Sequence, residues 1–207
     1  MRPQSSPHPR RPQSIIEEAR RAQIVDAAIT TVARVGYAQA SLARIAHSAG
    51  ISKSVISYYF DGKDDLLDQV VGEISTGMWA FIAPRLAAEA GARARLGAYI
   101  RATLDYMRAH RMRSIAVMTI VGSHRREDGT LRFASLGADD AITRELVEIL
   151  RQGQRDGEFR DFDPQVVAAT VNRALTGALA TWVLHPEADM GAYGVELVEL
   201  FELATGR

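Results

Sequence analysis

The side chains best suited to binding chemistry form a short polar set around residue 55. They are Lys53, Ser54, Ser57 and Tyr58. Ile56 and Phe60 lie four residues apart, so on a helix they share one face and leave the polar set on the other. The polar face combines a cation, hydroxyls and an aromatic ring, and it has no carboxylate. Such a face suits the phosphates and base edges of duplex DNA, because an acid there would repel the phosphate backbone.

A helical hairpin is predicted to hold this face. Apolar residues recur at helical spacing in the preceding segment; they are Leu42, Ile45, Ala46 and Ala49. Ser41 precedes this segment and is typical of a helix N-cap, and Gly50 follows it, where a left-handed residue ends a helix. Ser52 is then expected to cap the second helix. Alone, the hairpin is equally compatible with an ordinary corner of any helical protein.

The flanking segments favour the DNA-binding interpretation. Upstream, one face of a supporting helix that ends at Gly36 is predicted to be apolar; its residues are Ile24, Ala27, Ala28, Thr31, Val32 and Val35. Downstream, Lys63 lies at a turn, and Asp64 and Asp65 fall in the first turn of a long helix, where acids complement the helix dipole.

Residues from about 20 to 70 resemble the DNA-binding domain of the TetR/AcrR family of bacterial repressors. The matching elements are Gly36-Tyr37, the SLARIA segment, Ala49-Gly50-Ile51-Ser52, Tyr59-Phe60 and Gly62-Lys63-Asp64-Asp65-Leu66-Leu67. Residues 153–179 also resemble the segment that leads into the dimerising helices of that family. The resemblance implies an N-terminal helix-turn-helix domain, a helical ligand-binding and dimerisation domain, and a ligand-responsive regulator.

The resemblance implies roles for ten residues. Lys53, Ser54 and Tyr58 are expected to reach base edges, and Val55 a thymine methyl group. The phosphate contacts are expected from Ser41, Arg44, Ser52, Ser57, Tyr59 and Lys63. The chain departs from the family pattern at two positions: Ser57 stands where the family often has a tyrosine, and Ala43 stands where some members have an arginine. The operator sequence therefore stays open.

Composition and charge are consistent with this interpretation. Residues 1–63 contain nine Lys and Arg against four Asp and Glu, whereas the remainder contains sixteen against twenty-one. A basic N-terminal part joined to an acidic body is typical of a DNA-binding module on a second domain. There are no cysteines, no secretory h-region and no long apolar run. These features predict a cytoplasmic protein without membrane spans, disulfides or thiolate metal sites.

Helical periodicity predicts an all-α chain of about nine helices in three parts. Residues 1–14 are Pro-rich and basic and are expected to form a disordered arm, which either reaches DNA or is a solvated tail. Residues 15–65 form the predicted DNA-binding domain, and residues 66–207 the ligand-binding and dimerisation domain. A long helix is expected from Lys63, interrupted or kinked near Pro84, and Asp163-Pro164 is a strong helix start.

The resemblance implies that the last two helices pair with their copies in a homodimer. The predicted interface residues are Val171, Leu175, Leu179, Val195, Val198 and Phe201. A two-fold dimer also reads two operator half-sites, although the same residues would suit the interior of a monomer. The resemblance also implies how an effector acts: bound in the second domain, it shifts the helix that begins at Lys63 and so changes the separation of the two recognition helices.

An effector of unknown identity is expected between the central helices. The candidate lining residues are Trp79, Tyr99, Tyr106, Met107, Met118, His124, Arg173 and Trp182. Each of them is also compatible with an ordinary place in the core. The sequence contains neither the His-Glu-x2-His helix of zinc proteases nor the Gly-x4-Gly-Lys-Ser/Thr phosphate-binding loop. No metal, cofactor or catalytic residue is therefore predicted. The acids Asp156, Glu158, Asp161 and Asp163 are interpreted as turn and cap residues.

Two other classes of function remain open. A helical ligand carrier would show no salt-sensitive binding to duplex DNA, and a small helical enzyme would show turnover. Repression or activation depends on where the operator lies relative to a promoter, which the sequence leaves open.

Overall fold

The computed structural model describes residues 15–133 and 141–207, and this part of the chain is all-α, as predicted. Its helices are α1 (Ile15–Val35), α2 (Leu42–Ala49), α3 (Lys53–Tyr59), α4 (Lys63–Ala87), α5 (Ala92–Ala109), α6 (Arg111–Ser123), α7 (Ala141–Arg155), α8 (Pro164–Leu184) and α9 (Met190–Thr205). The only β-pairing within these ranges is an isolated bridge between Arg125 and Leu131. The predicted N-terminal arm lies outside the described residues.

Local end signals account for several helix boundaries. The Ser41 hydroxyl accepts a hydrogen bond from the Arg44 amide at 3.2 Å, and Gly50 ends α2 with a φ of +66°. Asp163 caps α8 through the Gln165 amide at 2.8 Å, and Pro164 follows in the first turn. α4 continues past Pro84 to Ala87, so the expected interruption there is absent.

Ser52 was expected to cap α3 through its side chain, and this prediction is wrong. Ser52 occupies the N-cap position, but its hydroxyl lies 2.8 Å from the Ser54 hydroxyl and makes no cap bond to the helix backbone. The two hydroxyls satisfy one another at the surface. α3 therefore begins without the side-chain bond that holds α2.

One hydrophobic core joins the first three helices to parts of α4 and α6. Ile24, Ile45 and Ile56, from α1, α2 and α3, are all 0% exposed in it. Ile74 of α4 and Ile120 of α6 belong to the same core, so it extends well beyond the predicted domain boundary at residue 65. A second core, the body core, is built from α4, α5, α7, α8 and α9.

Polar contacts tie α6 to the first core. The Arg113 guanidinium donates to Asp26 of α1 and to Glu73 of α4, each at 2.8 Å. Ala116 and Ile120, further along α6, are fully buried in the first core. Val35 was expected to complete the apolar face of α1, but it lies at the end of the helix and is 36% exposed.

Most of the predicted dimer residues lie inside the protein instead. Val171, Leu175 and Leu179 of α8 are at most 2% exposed and belong to the interior of the same chain. Val198 and Phe201 of α9 are also buried, and of the six only Val195 is exposed. The prediction failed because α8 carries apolar residues on both faces, so periodicity does not determine which face turns inward.

A different set of apolar side chains on α8 and α9 faces outward. We call it the outer α8–α9 face; it consists of Val166, Leu184, Val195, Leu200 and Leu203, between 56% and 75% exposed. α8 is also the single helix in the described residues that is long and apolar enough to cross a membrane. Those criteria are length and composition only, and α8 packs against α5, α7 and α9 through the body core.

Candidate nucleic-acid interface

α3 presents the polar face that the sequence predicts. Lys53, Ser54, Ser57 and Tyr58 are all exposed, whereas Ile56 and Phe60 are buried in the first core. Tyr58 is 76% exposed, although it is one of the largest side chains of the helix. Its ring meets the Tyr59 ring edge to face at a centroid distance of 5.0 Å, which restrains its direction.

The hydroxyl groups of α3 keep capacity for a ligand. Ser57 donates to the Lys53 carbonyl at 3.3 Å, so its oxygen can still accept a hydrogen bond. Val55 is half-buried, so part of its side chain is accessible for an apolar contact such as the predicted thymine methyl. The exposure that base recognition requires is therefore present, and the base contacts themselves stay predictions.

The start of α2 places two predicted phosphate-binding residues together. The Ser41 hydroxyl caps the helix, and Arg44 lies one turn further on. The Arg44 guanidinium donates to the Gln39 side chain at 3.1 Å and remains exposed. The free amides of a helix start and a nearby arginine both favour an anion.

Lys63 has a partner inside the protein. Its ammonium group donates to the Tyr37 carbonyl at 2.8 Å and lies 4.2 Å from the centroid of the Tyr37 ring. Burial lowers the pKa of Lys63, and Asp64 partly offsets this effect. The residue thus ties the start of α4 to the segment after α1. An ammonium has three donors, so a phosphate contact remains compatible with this bond.

His124 lies at the junction of the first core and the loop after α6, away from the body core where an effector was expected. It is 1% exposed, and its Nδ1 is hydrogen-bonded to the Tyr37 hydroxyl. Its Nε2 is buried and has no hydrogen-bond partner among the described residues; it lies 3.6 Å from a carboxylate oxygen of Asp64. Burial lowers the pKa of His124, and the nearby Asp64 opposes this shift. This junction was missed because the two rings are 87 residues apart.

The other predicted effector residues fall in several places. Trp79, Met107 and Trp182 are half-buried against the body core, and Tyr99 lies within it. Tyr106 joins α5 to α4 through a bond from its hydroxyl to the Ile74 carbonyl at 3.4 Å. Three residues stand apart from this group: Met118 on α6, His124 at the junction, and the exposed Arg173.

Two acids confirm the interpretation as cap residues. Asp163 caps α8, and the Glu158 carboxylate accepts the Ala92 and Arg93 amides at the start of α5, both at 2.9 Å. In the described ranges no group of three or more potential ligands converges on a metal site.

Residues 24–70, which contain the second half of α1, all of α2 and α3 and the start of α4, match the model of the tetR family of bacterial regulatory proteins. Two curated relatives agree with this match. The HTH-type transcriptional regulator BetI of Paraburkholderia phymatum is 39% identical over 95 residues, which are 45% of this chain and 48% of that protein. BetI 2 of Chromohalobacter salexigens is 38% identical over 96 residues, 45% of this chain and 46% of that protein. The similarity to the tetR family therefore lies in the N-terminal part of this chain.

The chain spans about half the length of these tetR-family relatives. Solved structures resemble it over more of its length. A tetR-family regulatory protein from Rhodococcus RHA1 matches with a TM-score of 0.77 at 21% identity, over 90% of this chain and 97% of that one. The regulator FadR from Bacillus subtilis, solved with stearoyl-CoA, matches with a TM-score of 0.73 at 24% identity, over 86% and 96%. At these identities the likeness establishes a shared fold.

Proposed function

We propose that this protein is a ligand-responsive transcriptional repressor of the tetR family that binds a pseudo-palindromic operator as a homodimer in the cytoplasm. The observation that carries the proposal is the exposed face of α3, where Lys53, Ser54, Ser57 and Tyr58 face solvent without a carboxylate among them. The buried side of the same helix is held by Ile56 and Phe60. A rigid helix with such a face suits insertion into a major groove.

The proposed homodimer forms through the outer α8–α9 face. Val166 and Leu184 lie on α8, and Val195, Leu200 and Leu203 on α9. A cluster of large, exposed apolar side chains is typical of a protein–protein contact. Two copies joined in this way would present two α3 helices related by a two-fold axis, as a palindromic operator requires.

The effector is proposed to bind beside the body core. Trp79, Met107 and Trp182 come from α4, α5 and α8 and pack against this core with part of each side chain accessible. FadR of Bacillus subtilis, a protein of the same fold, was solved with stearoyl-CoA. An effector with a long acyl chain would suit this apolar position. Effector binding acts on operator affinity only if it favours one separation of the two α3 helices.

A mobility-shift experiment tests the proposal. The wild-type protein is incubated with the duplex upstream of its own gene and with a shuffled duplex of the same length, at two salt concentrations. We expect tight binding to the first duplex that weakens steeply with salt, because lysine and arginine contacts release counterions from DNA. Failure to bind either duplex at low salt would refute a DNA-binding function and favour a ligand carrier or an enzyme.

A further inference from the structure

The recognition helix α3 depends on contacts from outside itself. It has seven residues, and its N-cap Ser52 makes no side-chain bond to the helix. The last carbonyl groups of any helix lack partners within the helix. A helix of two turns therefore needs other elements to fix its ends, and base recognition requires that its direction be held closely.

Arg21 of α1 supplies such a contact at the end of α3. One nitrogen of its guanidinium donates to the Tyr59 carbonyl at 2.6 Å, 38 residues away in the sequence. The guanidinium carbon also lies 4.5 Å from the centroid of the Phe60 ring, which is 2% exposed. A cation at this position complements the negative end of the helix dipole and satisfies an otherwise free acceptor.

α1 is a firm support for this contact. Ile24 and Val25, one turn after Arg21, are at most 1% exposed in the first core. Gln23, from the same part of α1, donates to the Ala49 carbonyl at 2.9 Å and so holds the end of α2 in a similar way. The two bonds attach the C-terminal ends of α2 and α3 to α1, whose inner face is buried in the first core.

We propose that Arg21 is a positioning residue for operator recognition, acting through the Tyr59 carbonyl and the Phe60 ring to fix the direction of α3. This proposal rests on the function proposed above. It distinguishes Arg21 from a phosphate-binding arginine, which would contribute to affinity on every sequence and to the salt dependence.

The test measures two quantities for the same variants. The first is the ratio of affinities for a duplex selected by the wild-type protein from a random pool and for a shuffled duplex. The second is the slope of log affinity against log salt. The variants are Arg21→Ala and Arg21→Lys, and the control is Arg34→Ala. Arg34 has the same charge on the same helix, but it is exposed in the last turn of α1, whereas Arg21 lies in the first half of that helix.

We expect both Arg21 variants to lower the affinity ratio, the Ala variant by roughly tenfold, the effect of losing one hydrogen bond from a charged group. The salt slope should stay at the wild-type value. Arg21→Lys should restore little of the lost affinity ratio between the two duplexes. Lysine keeps the charge but lacks the planar group that both donates to the Tyr59 carbonyl and covers the Phe60 ring. Arg34→Ala should leave the ratio unchanged.

Either of two outcomes would overturn the proposal. A salt slope reduced by about one in Arg21→Ala and restored in Arg21→Lys would identify a direct phosphate contact. An affinity ratio unchanged in both variants would show that the contact does not position α3.

Amide hydrogen exchange of the free protein separates this proposal from the function on which it rests. The Phe60 amide, bonded to the Ile56 carbonyl at 2.9 Å, should exchange faster in Arg21→Ala than in Arg34→Ala. Equal rates would count against the positioning role even if the wild-type protein proved not to bind DNA.

Discussion

Replacing Leu203 with aspartate is expected to dissociate the proposed dimer without unfolding the protein. Leu203 lies on α9 and is 75% exposed in the single chain. Burying a leucine side chain fully contributes roughly 1.5–3 kcal/mol, and a two-fold interface contains each residue twice. Only the exposed 75% of each side chain is left to bury at the interface, so loss of the apolar contacts alone should weaken dimerisation by about 2–4 kcal/mol, or roughly 30- to 1,000-fold in the dissociation constant. Two desolvated carboxylates add to this effect.

Two further variants make this test specific. Ile16→Asp introduces the same charge at a position of α1 that is 77% exposed but lies outside the outer α8–α9 face, so it should remain dimeric. Leu175→Asp, at a position 2% exposed in the body core, should lose thermal stability instead. Sedimentation velocity over a range of concentrations gives the dissociation constants, and thermal unfolding gives the stabilities. Equal dissociation constants for Leu203→Asp and Ile16→Asp would refute the assignment of the interface.

Three other predictions concern recognition, pH and packing. Lys53→Ala should cost about 1–3 kcal/mol of operator affinity and relax preference at one base pair in a binding-site selection; uniform weakening on all sequences would mean a phosphate contact. The folded state lowers the pKa of His124, so unfolding takes up a proton as the pH falls below about 6.5, and the free energy of unfolding should fall there. In thermal unfolding, His124→Asn should lose less stability on acidification than the exposed control His47→Asn. Gly153→Ala would bring a methyl group within 2.1 Å of the Phe159 ring and should lower the free energy of unfolding by roughly 1–3 kcal/mol. Gly72→Ala, which has open space around the added methyl group, should raise it slightly. Chemical denaturation measures both changes.

Short-range signals predicted the helices and the exposed side of α3 well. Ser41, Gly50 and the Asp163-Pro164 pair each act within a few residues, so their effect can be read from neighbouring positions. The face of α3 could be predicted because Ile56 and Phe60 mark a single apolar side.

Features that depend on distant partners could not be predicted in the same way. α8 is apolar on both sides, so the choice between Leu175 and Leu184 as the outward residue depends on how α5, α7 and α9 pack around it. Arg21 looks like any surface arginine until the fold places the Tyr59 carbonyl beside it. The Tyr37–His124 pair likewise forms only when α6 meets the segment after α1.

The participation of α6 in the first core limits how this protein can be engineered. Ala116 and Ile120 are completely buried in that core, and Arg113 bonds to both Asp26 and Glu73. A fragment that stops within α4 would leave an open apolar gap along α1. A chimera that transplants operator specificity onto a foreign sensor should therefore carry the α1-facing side chains of α6 together with the hairpin, or the grafted module will lack part of its own interior.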